Sequence, residues 1–495
     1  MLEDLRNERL QKLKKIKERG IDPYPARAKR TSTIGEALKK FGTLARARKK
    51  IFLAGRVMSI RDQGGVAFLD LKDESGQIQA VLKKETLADF EFLKSVLDRG
   101  DFLSVGGPLF KTKKGQESIE AKEAKILGKS INPVPSEWYG IEETETRLRQ
   151  RYLELLVNKE AAELFRKKAV FWNEFRRLML KDGFLEVEMP VFETTPGGAE
   201  AEPFRTHHNA LDTDFYLRIS LELPLKKLLV GGFEKVFEIG RIFRNEGIDK
   251  EHLQDYTQLE FYWAYHDYND MMALTEKMYK LVIKKVTGGF TLPIFAKQNL
   301  GGLTTIYNGQ KINWAKKWPK VDYVELFRET NKIDPCSASR DELLKKAQEL
   351  KLSPEANAGK GRLIDLIFKK TVRPTLIEPC FLIDPPVEIE PLAKRSPKNP
   401  AQVERFQIMA GGTELGKGFS ELNDPLDQRA RFEEQMKLRA AGDKEAQMLD
   451  EDFLTAMEYG MPPAAGFGIS ERLFAVLMDK PVRETVIFPL MRPKE

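Results

Sequence analysis

Two cysteines in 495 residues, Cys336 and Cys380, are too few for a disulfide framework and stand in no metal-ligand spacing. A cystine-stapled secreted scaffold and a cysteine-bound zinc module are therefore excluded, and a reducing interior suits the chain. No apolar run approaches the roughly 20 residues that a membrane span requires, and the first residues are charged and amphipathic rather than a signal peptide. No internal repeat is present. A net acidic balance is missing too: the net charge of +7 is compatible with a polyanionic partner such as nucleic acid. With 41% hydrophobic and 32% charged residues the composition is that of a soluble globular protein. A cytoplasmic protein of about three domains, with no membrane contact, is expected.

Residues 2–19 alternate Leu and Ile with Lys, Arg and Glu at helical spacing, and Gly20, Pro23 and Pro25 end the pattern. Residues 1–50 thus read as a basic amphipathic helix and a link, with Lys12, Lys14, Lys15 and Lys17 placed to meet a polyanion backbone. From residue 51 the pattern changes to short strands, IFLAGRVMSI, VAFLDLKD, QIQAVL, DFLSVGGPLF and SIEAKEAKIL, with a helical stretch between the third and fourth. Five strands in that order predict an OB-fold β-barrel over 51–130. The proline-marked residues 131–146 read as a linker. The remainder, 147–495, predicts an α+β domain on a large, mostly antiparallel sheet flanked by helices. Residues 286–375, with an Asn308-Gly309 hairpin signal and several amphipathic helices, read as an insertion with no assignable chemistry.

The segment VFEIGRIFRNEGIDKEHLQDYTQLEFYWAY (236–265) plants charged residues inside apolar strand-like runs. Side chains two apart on a strand share a face, so Arg244 is expected beside Glu246 on one strand and Glu260 beside Tyr262 on the next. A guanidinium fork can grip phosphate, and a carboxylate can hold an ammonium. A surface hairpin with scattered ion pairs is the plain alternative. In the first strand-rich segment, Phe68, Gln79 and Arg61 combine an aromatic, an amide and a guanidinium that could read unpaired bases, while Phe68 reads equally well as barrel core.

The words TPGGAEAEPF (195–204), THHNALDTDFYLRIS (206–220), GGFEKVFEIGRIFRNE (231–246), ELGKGFSELNDPLDQ (414–428) and GFGISERLFAVL (466–477) resemble, in order, the class II aminoacyl-tRNA synthetases, and lysyl-tRNA synthetases in particular. The resemblance implies ATP-dependent activation of lysine and its transfer to the 3′ end of tRNA(Lys), with magnesium accompanying ATP. Arg244 and Arg472 are implied as the catalytic cations, and Glu246, His252, Tyr256 and Glu414 as further ATP contacts. The lysine pocket is implied at Gly198, Glu222, Arg244, Glu260, Tyr262, Phe419 and Glu421, the metal ligands at Glu414 and Glu421, and the anticodon readers at Arg61, Phe68 and Gln79. Residues 167–192 resemble the segment that forms the twofold interface in this class, implying a homodimer. A lysine ligase acting on a protein acceptor and a non-catalytic tRNA- or lysine-binding paralogue are the other readings.

Three positions depart from the family pattern. Lys417 stands where the pattern has Asn, Glu251 replaces the arginine that precedes His252, and GFGISER is one residue short of the usual glycine-rich word. An ammonium at 417 would repel lysine unless it is turned away at a bulge or paired with a pocket carboxylate.

Overall fold

The structure, a computed structural model, describes residues 2–135, 143–247, 253–288, 302–354 and 358–493. Two compact units divide the chain, one up to residue 142 and one from residue 143.

In the first unit the strands Ile51–Asp62, Val66–Asp73 and Gly76–Lys83 form an antiparallel meander, and the helix Phe90–Val96 follows the third, as expected. The two remaining strands differ from the expectation. Each breaks in two, giving Phe102–Gly107 with Leu109–Lys111 and Glu117–Glu120 with Glu123–Gly128. Pro108 has no N–H to continue a ladder, so the pairing changes partner there: Phe102–Gly107 runs beside Ile51–Asp62 and Glu123–Gly128, whereas Leu109–Lys111 pairs with Glu117–Glu120. The result is a seven-stranded ladder that, among the described residues, does not close into the expected barrel. The N-terminal segment is part of this unit rather than a separate arm, because Ile16, Ile34, Ala37 and Phe41 are buried in the same core as Leu53, Leu69 and Leu103.

The second unit is built on an eight-stranded sheet in the order Lys320–Asp322, Cys380–Ile383, Arg405–Ala410, Thr413–Ser420, Ala464–Ser470, Asp255–Ala264, Lys235–Phe243, Leu185–Glu186. Only the two outermost pairings are parallel, so the sheet is mostly antiparallel, as the alternation of strand and turn signals predicts. The helix Lys159–Lys181 buries Phe171, Phe175, Leu178 and Met179 against it, an i, i+4, i+7, i+8 stripe. Asn158 caps that helix by accepting from the Glu160 and Ala161 N–H groups. The helix Tyr268–Gly288 packs on the same core through Met271, Met278, Tyr279 and Val282.

The insertion is less separate than its sequence suggests. Its hairpin turns at Asn308 and Gly309, both at positive φ, as a two-residue loop requires. Its helices Tyr323–Asn331, Arg340–Glu349 and Lys360–Thr371 bury a core completed by Cys380, Leu382 and Met409 of the main sheet, and Lys320–Asp322 is the sheet's edge strand.

Candidate active site

One face of the central strands opens into a cavity lined by residues from every part of the second unit. On the middle strand, Glu260 and Tyr262 do share a face, and the neighbouring strand places Gly468 and Gly466 directly opposite them. A Cβ at 466 would lie 2.3 Å from both Glu421 Oε1 and the Tyr262 ring, so only glycine leaves room for the two polar side chains. The shortened motif therefore keeps its strand in register, and Arg472 opens the helix Arg472–Met478 as expected.

Three carboxylates gather at the closed end. The Glu260 carboxylate accepts from Ser220 Oγ at 2.9 Å, Tyr262 Oη at 3.2 Å, Gln258 Nε2 at 2.5 Å and the Leu221 N–H at 3.3 Å. Burial pushes its carboxyl up to about 7, and the negative charge of Glu222 adds to the effect. Glu222, the first residue of the helix Glu222–Val230, and Glu421 are both ion-paired to the wholly buried Lys226 ammonium. Burial raises both of their pKa values, with Lys226 acting in opposition. Glu222 and Glu421 thus share one resident ammonium, while Glu260 accepts from neutral donors, and the cluster is short of positive charge. Gly198, at φ +80°, lies against Glu222 and Ser220, where a Cβ would come within 2.8 Å of the Glu222 side chain. Phe419 is buried, with the Lys226 ammonium 5.3 Å from its ring centroid.

The open end brings four arginines, Arg244, Arg362, Arg373 and Arg472, together with Lys369 among carboxylates. Lys235–Phe243 stops one residue before Arg244, so Arg244 and Glu246 occupy an irregular segment and are not strand neighbours as expected. Arg244 donates from its backbone N–H to the Gln254 carbonyl at 2.8 Å and from Nε to the Ile219 carbonyl at 3.2 Å. Its guanidinium lies 5.6 Å from the Tyr256 ring centroid. Arg244, Glu246, Tyr256, Glu414 and Arg472 all line this end. The expected ATP contact His252, together with Lys250 and Glu251, lies outside the described residues.

Several cavity residues carry no signal in the sequence motifs. Gly361, Arg362, Asp365 and Lys369 come from the insertion helix Lys360–Thr371 and form a wall of the cavity, so the insertion does contribute to the site. Gln407 and Arg405 come from the strand Arg405–Ala410, and Glu390 directly follows the short 3-10 helix Val387–Ile389. Their type gives nothing away, because a polar residue on a strand is more often solvated than functional.

A β-bulge at Leu415 alters the expected face of one residue. Gln407 pairs with Lys417 and Ile408 with Gly416, but Met409 pairs with Glu414, leaving Leu415 unmatched. The extra residue brings Glu414 onto the face of Lys417 and Phe419, where Gln407 Nε2 donates to Glu414 Oε2 at 2.6 Å. Despite burial, the cations Arg405, Lys417, Arg472 and Lys369 hold the Glu414 carboxyl below its usual range. Glu414 is thus an ionised oxygen ligand at the open end. Glu421 does not share this setting: it is 1% exposed, is paired with Lys226 and does not line the cavity. Of the expected magnesium pair, Glu421 gives its Oε2 to the buried ammonium, while its Oε1 is buried with no hydrogen-bond partner among the described residues. Among the described residues no group of three or more His, Cys, Asp or Glu is arranged to hold a metal ion; a magnesium ion that also takes phosphate and water oxygens does not need one.

Lys417 lines the cavity, and its Nζ donates to Glu390 Oε2 at 2.7 Å. Of the two expected escapes, pairing is the one observed.

In the first unit, Arg61 lies on the first strand, not in the connection after it, and pairs with Phe68 across the ladder, with its guanidinium 6.0 Å from the Phe68 ring centroid. Phe68 is half-buried between the core residues Ala67 and Leu69, so it points away from that core. Gln79 pairs with Asp70, two residues along from Phe68, which puts all three candidate readers on one face. Gln79 is the most enclosed of them, accepting from Ser118 Oγ at 3.2 Å. Lys12 differs from expectation: it is ion-paired with Asp98 at 2.8 Å and Glu8 at 2.7 Å, so its charge is taken up within the unit.

Comparison with known proteins agrees with this geometry. The family model for class II tRNA synthetases (D, K and N) matches residues 143–492, and that for the OB-fold nucleic acid binding domain matches residues 51–127. The chain is 43% identical over 500 residues to a lysine–tRNA ligase of Roseiflexus castenholzii, covering 100% of both chains. It is also 43% identical to those of Moorella thermoacetica, over 99% of this chain and 98% of the relative, and Carboxydothermus hydrogenoformans, over 100% and 99%. With carboxylates in excess at the closed end, arginines at the open end and full-length similarity to these enzymes, the chain belongs to the class II tRNA synthetases, in the lysine–tRNA ligase family.

Proposed function

We propose that the protein activates L-lysine with ATP and transfers it to the 3′ end of tRNA(Lys). One observation carries the choice of amino acid: of three buried carboxylates, Glu222 and Glu421 share the Lys226 ammonium, while Glu260 accepts hydrogen bonds from neutral groups and has no ion-pair partner among the described residues. A second ammonium, that of the substrate, relieves the deficit. Aspartate would add a fourth negative charge, and neutral asparagine would leave the deficit in place. The glycine at 198 lets the backbone approach the amino acid closely, while Tyr262 and Phe419 enclose it.

In the activation step a lysine carboxylate oxygen attacks the α-phosphorus of ATP. A new P–O bond forms, the bond to the bridging oxygen breaks, and pyrophosphate leaves with the electron pair. No side-chain nucleophile takes part, so the chain contributes position and charge. Arg244 neutralises the reacting phosphate, Arg472 holds the departing phosphates, Tyr256 lies against adenine, and Glu246 and His252 steady the nucleotide. Magnesium bound with ATP would supply further neutralisation of the phosphates; Glu414 fits as its protein ligand. The adenylate carbonyl then accepts the terminal ribose hydroxyl of tRNA, with adenosine monophosphate leaving. Arg61, Phe68 and Gln79 read the anticodon, and a homodimer forms through residues 167–192. Among the described residues no helix is long and apolar enough to cross a membrane, in keeping with a cytoplasmic enzyme. A protein acceptor and a non-catalytic role are not favoured, since the similarity to lysine–tRNA ligases runs the whole length of the chain.

The test is ATP–pyrophosphate exchange with each of the twenty amino acids, followed by charging of tRNA. Exchange with lysine and lysylation of its tRNA are expected; exchange with a different amino acid, or with none, overturns the reading.

A further inference from the structure

The Lys417 ammonium is out of place in a pocket for a cationic substrate. It sits in the middle of the strand Thr413–Ser420, with Gln407 opposite on one side and Gly468 on the other, and its side chain lines the cavity. Two residues along the same face is Phe419, and the field of Lys417 reaches Glu222 in the substrate pocket. Burial works most strongly against its charge, but Glu390, through its charge and hydrogen bond, and Glu414 together keep Lys417 an ammonium.

Glu390 is 3% exposed and is the hydrogen-bonding carboxylate of Lys417, at 2.7 Å. Arg405 is buried too, with Nε 3.5 Å from the same Glu390 oxygen and no hydrogen-bond partner at Nε or Nη1. Both cations also feel Glu414, but Glu390 is the carboxylate that hydrogen-bonds Lys417. Remove its charge and that wall gains one positive charge facing the carboxylates that receive the substrate ammonium. At an effective dielectric constant of about 20, one added charge at roughly 7 Å changes binding by about tenfold or more.

We infer that Glu390 is a positioning residue for lysine specificity: by pairing Lys417 on the cavity wall it cancels a charge that would otherwise exclude the cationic substrate, so that Glu390 and Lys417 work as one unit. The inference rests on lysine being the substrate. It also accounts for how this chain carries Lys417 where the family pattern has Asn.

The experiment measures, on the full chain, the lysine dissociation constant by calorimetry and the KM for lysine and for ATP in pyrophosphate exchange. Glu390→Gln is expected to weaken lysine binding and raise its KM by about tenfold, leaving the KM for ATP within about threefold. Adding Lys417→Asn to it is expected to bring lysine binding back to within about threefold of the unaltered chain, because the unpaired charge is gone. An unchanged lysine KM in Glu390→Gln, a shift in the ATP KM instead, or no rescue in the double variant overturns the inference while leaving the function intact. Failure of the unaltered chain to bind lysine overturns both. If Glu390→Gln does not fold, Lys417→Met decides: lysine binding as tight as or tighter than in the unaltered chain supports the unit, and weakening by about tenfold means Lys417 itself contacts the substrate.

Discussion

Tyr262 Oη donates to Glu260 Oε2 at 3.2 Å, two residues apart on one face of the strand Asp255–Ala264. The bond joins the only hydroxyl among the expected lysine contacts to a carboxyl that burial has pushed to about 7 from an ordinary 4.5. Between those values the folded chain binds more protons than the unfolded chain, so this group makes stability fall as pH rises through the window and level off above it. Substrate ammonium binds the ionised form. Lysine is therefore expected to bind about tenfold more weakly at about pH 6 than at about pH 8, with proton release on binding. Calorimetry in buffers of different ionisation enthalpy checks this; binding without net proton release near neutrality would show that Glu260 is already ionised.

Gly466 tests the fit of the pocket rather than its charge. A methyl group there would meet Glu421 Oε1 and the Tyr262 ring at 2.3 Å. Gly466→Ala is expected to cost about 1–3 kcal/mol of stability and to abolish detectable exchange, because both polar groups must move. A thermal melt beside the exchange assay would separate the effects, and full activity with an unchanged melt would mean that the site adapts.

Lys226 is buried between the carboxylates of Glu222 and Glu421, and a neutral residue there strands both. Lys226→Met is expected to destabilise the second unit by about 3–5 kcal/mol at neutral pH. The loss should shrink on acidification, since Glu222 and Glu421 have raised pKa values and take up protons readily. Denaturant melts at about pH 5 and about pH 8 give the comparison; a loss equal at both would point to packing instead of charge.

Lys369 lines the open end and is ion-paired with Asp365 one turn earlier, at 2.7 Å. Its field also reaches Glu414. If it meets the triphosphate, Lys369→Ala should raise the KM for ATP by about tenfold, the worth of one charge-assisted hydrogen bond, and leave the KM for lysine unchanged. Steady-state exchange kinetics varying each substrate in turn would reveal this; equal change in both would indicate a distorted wall.

Much of the frame can be read without coordinates. The 3.6-residue stripe of Phe171, Phe175 and Leu178 declares the helix Lys159–Lys181, and Asn308-Gly309 declares a hairpin, because both signals come from neighbours in the chain. Glu260 and Tyr262 share a face for the same reason. The same logic does not place Arg244, since a strand's end depends on where its partner stops pairing: Phe243 with Asp255 is the last pair, and past it the Arg244 N–H makes a further bond, to Gln254. The split of the fourth and fifth strands of the first unit likewise follows from partner exchange at Pro108.

The sequence by itself determined the family, the order of helices and strands, and the types of side chain available for an ammonium and a triphosphate. Those are local or additive properties of the chain. Only the tertiary structure decided which charges meet: Lys417 with Glu390, 27 residues away, Lys226 of the helix Glu222–Val230 with Glu421 just past the strand Thr413–Ser420, and the insertion helix against the cavity. It also decided, through one unmatched residue at Leu415, that Glu414 faces the site. The physical reason is that the ionisation and pairing of a buried group depend on every element packed around it, and no spacing along the chain encodes that enclosure.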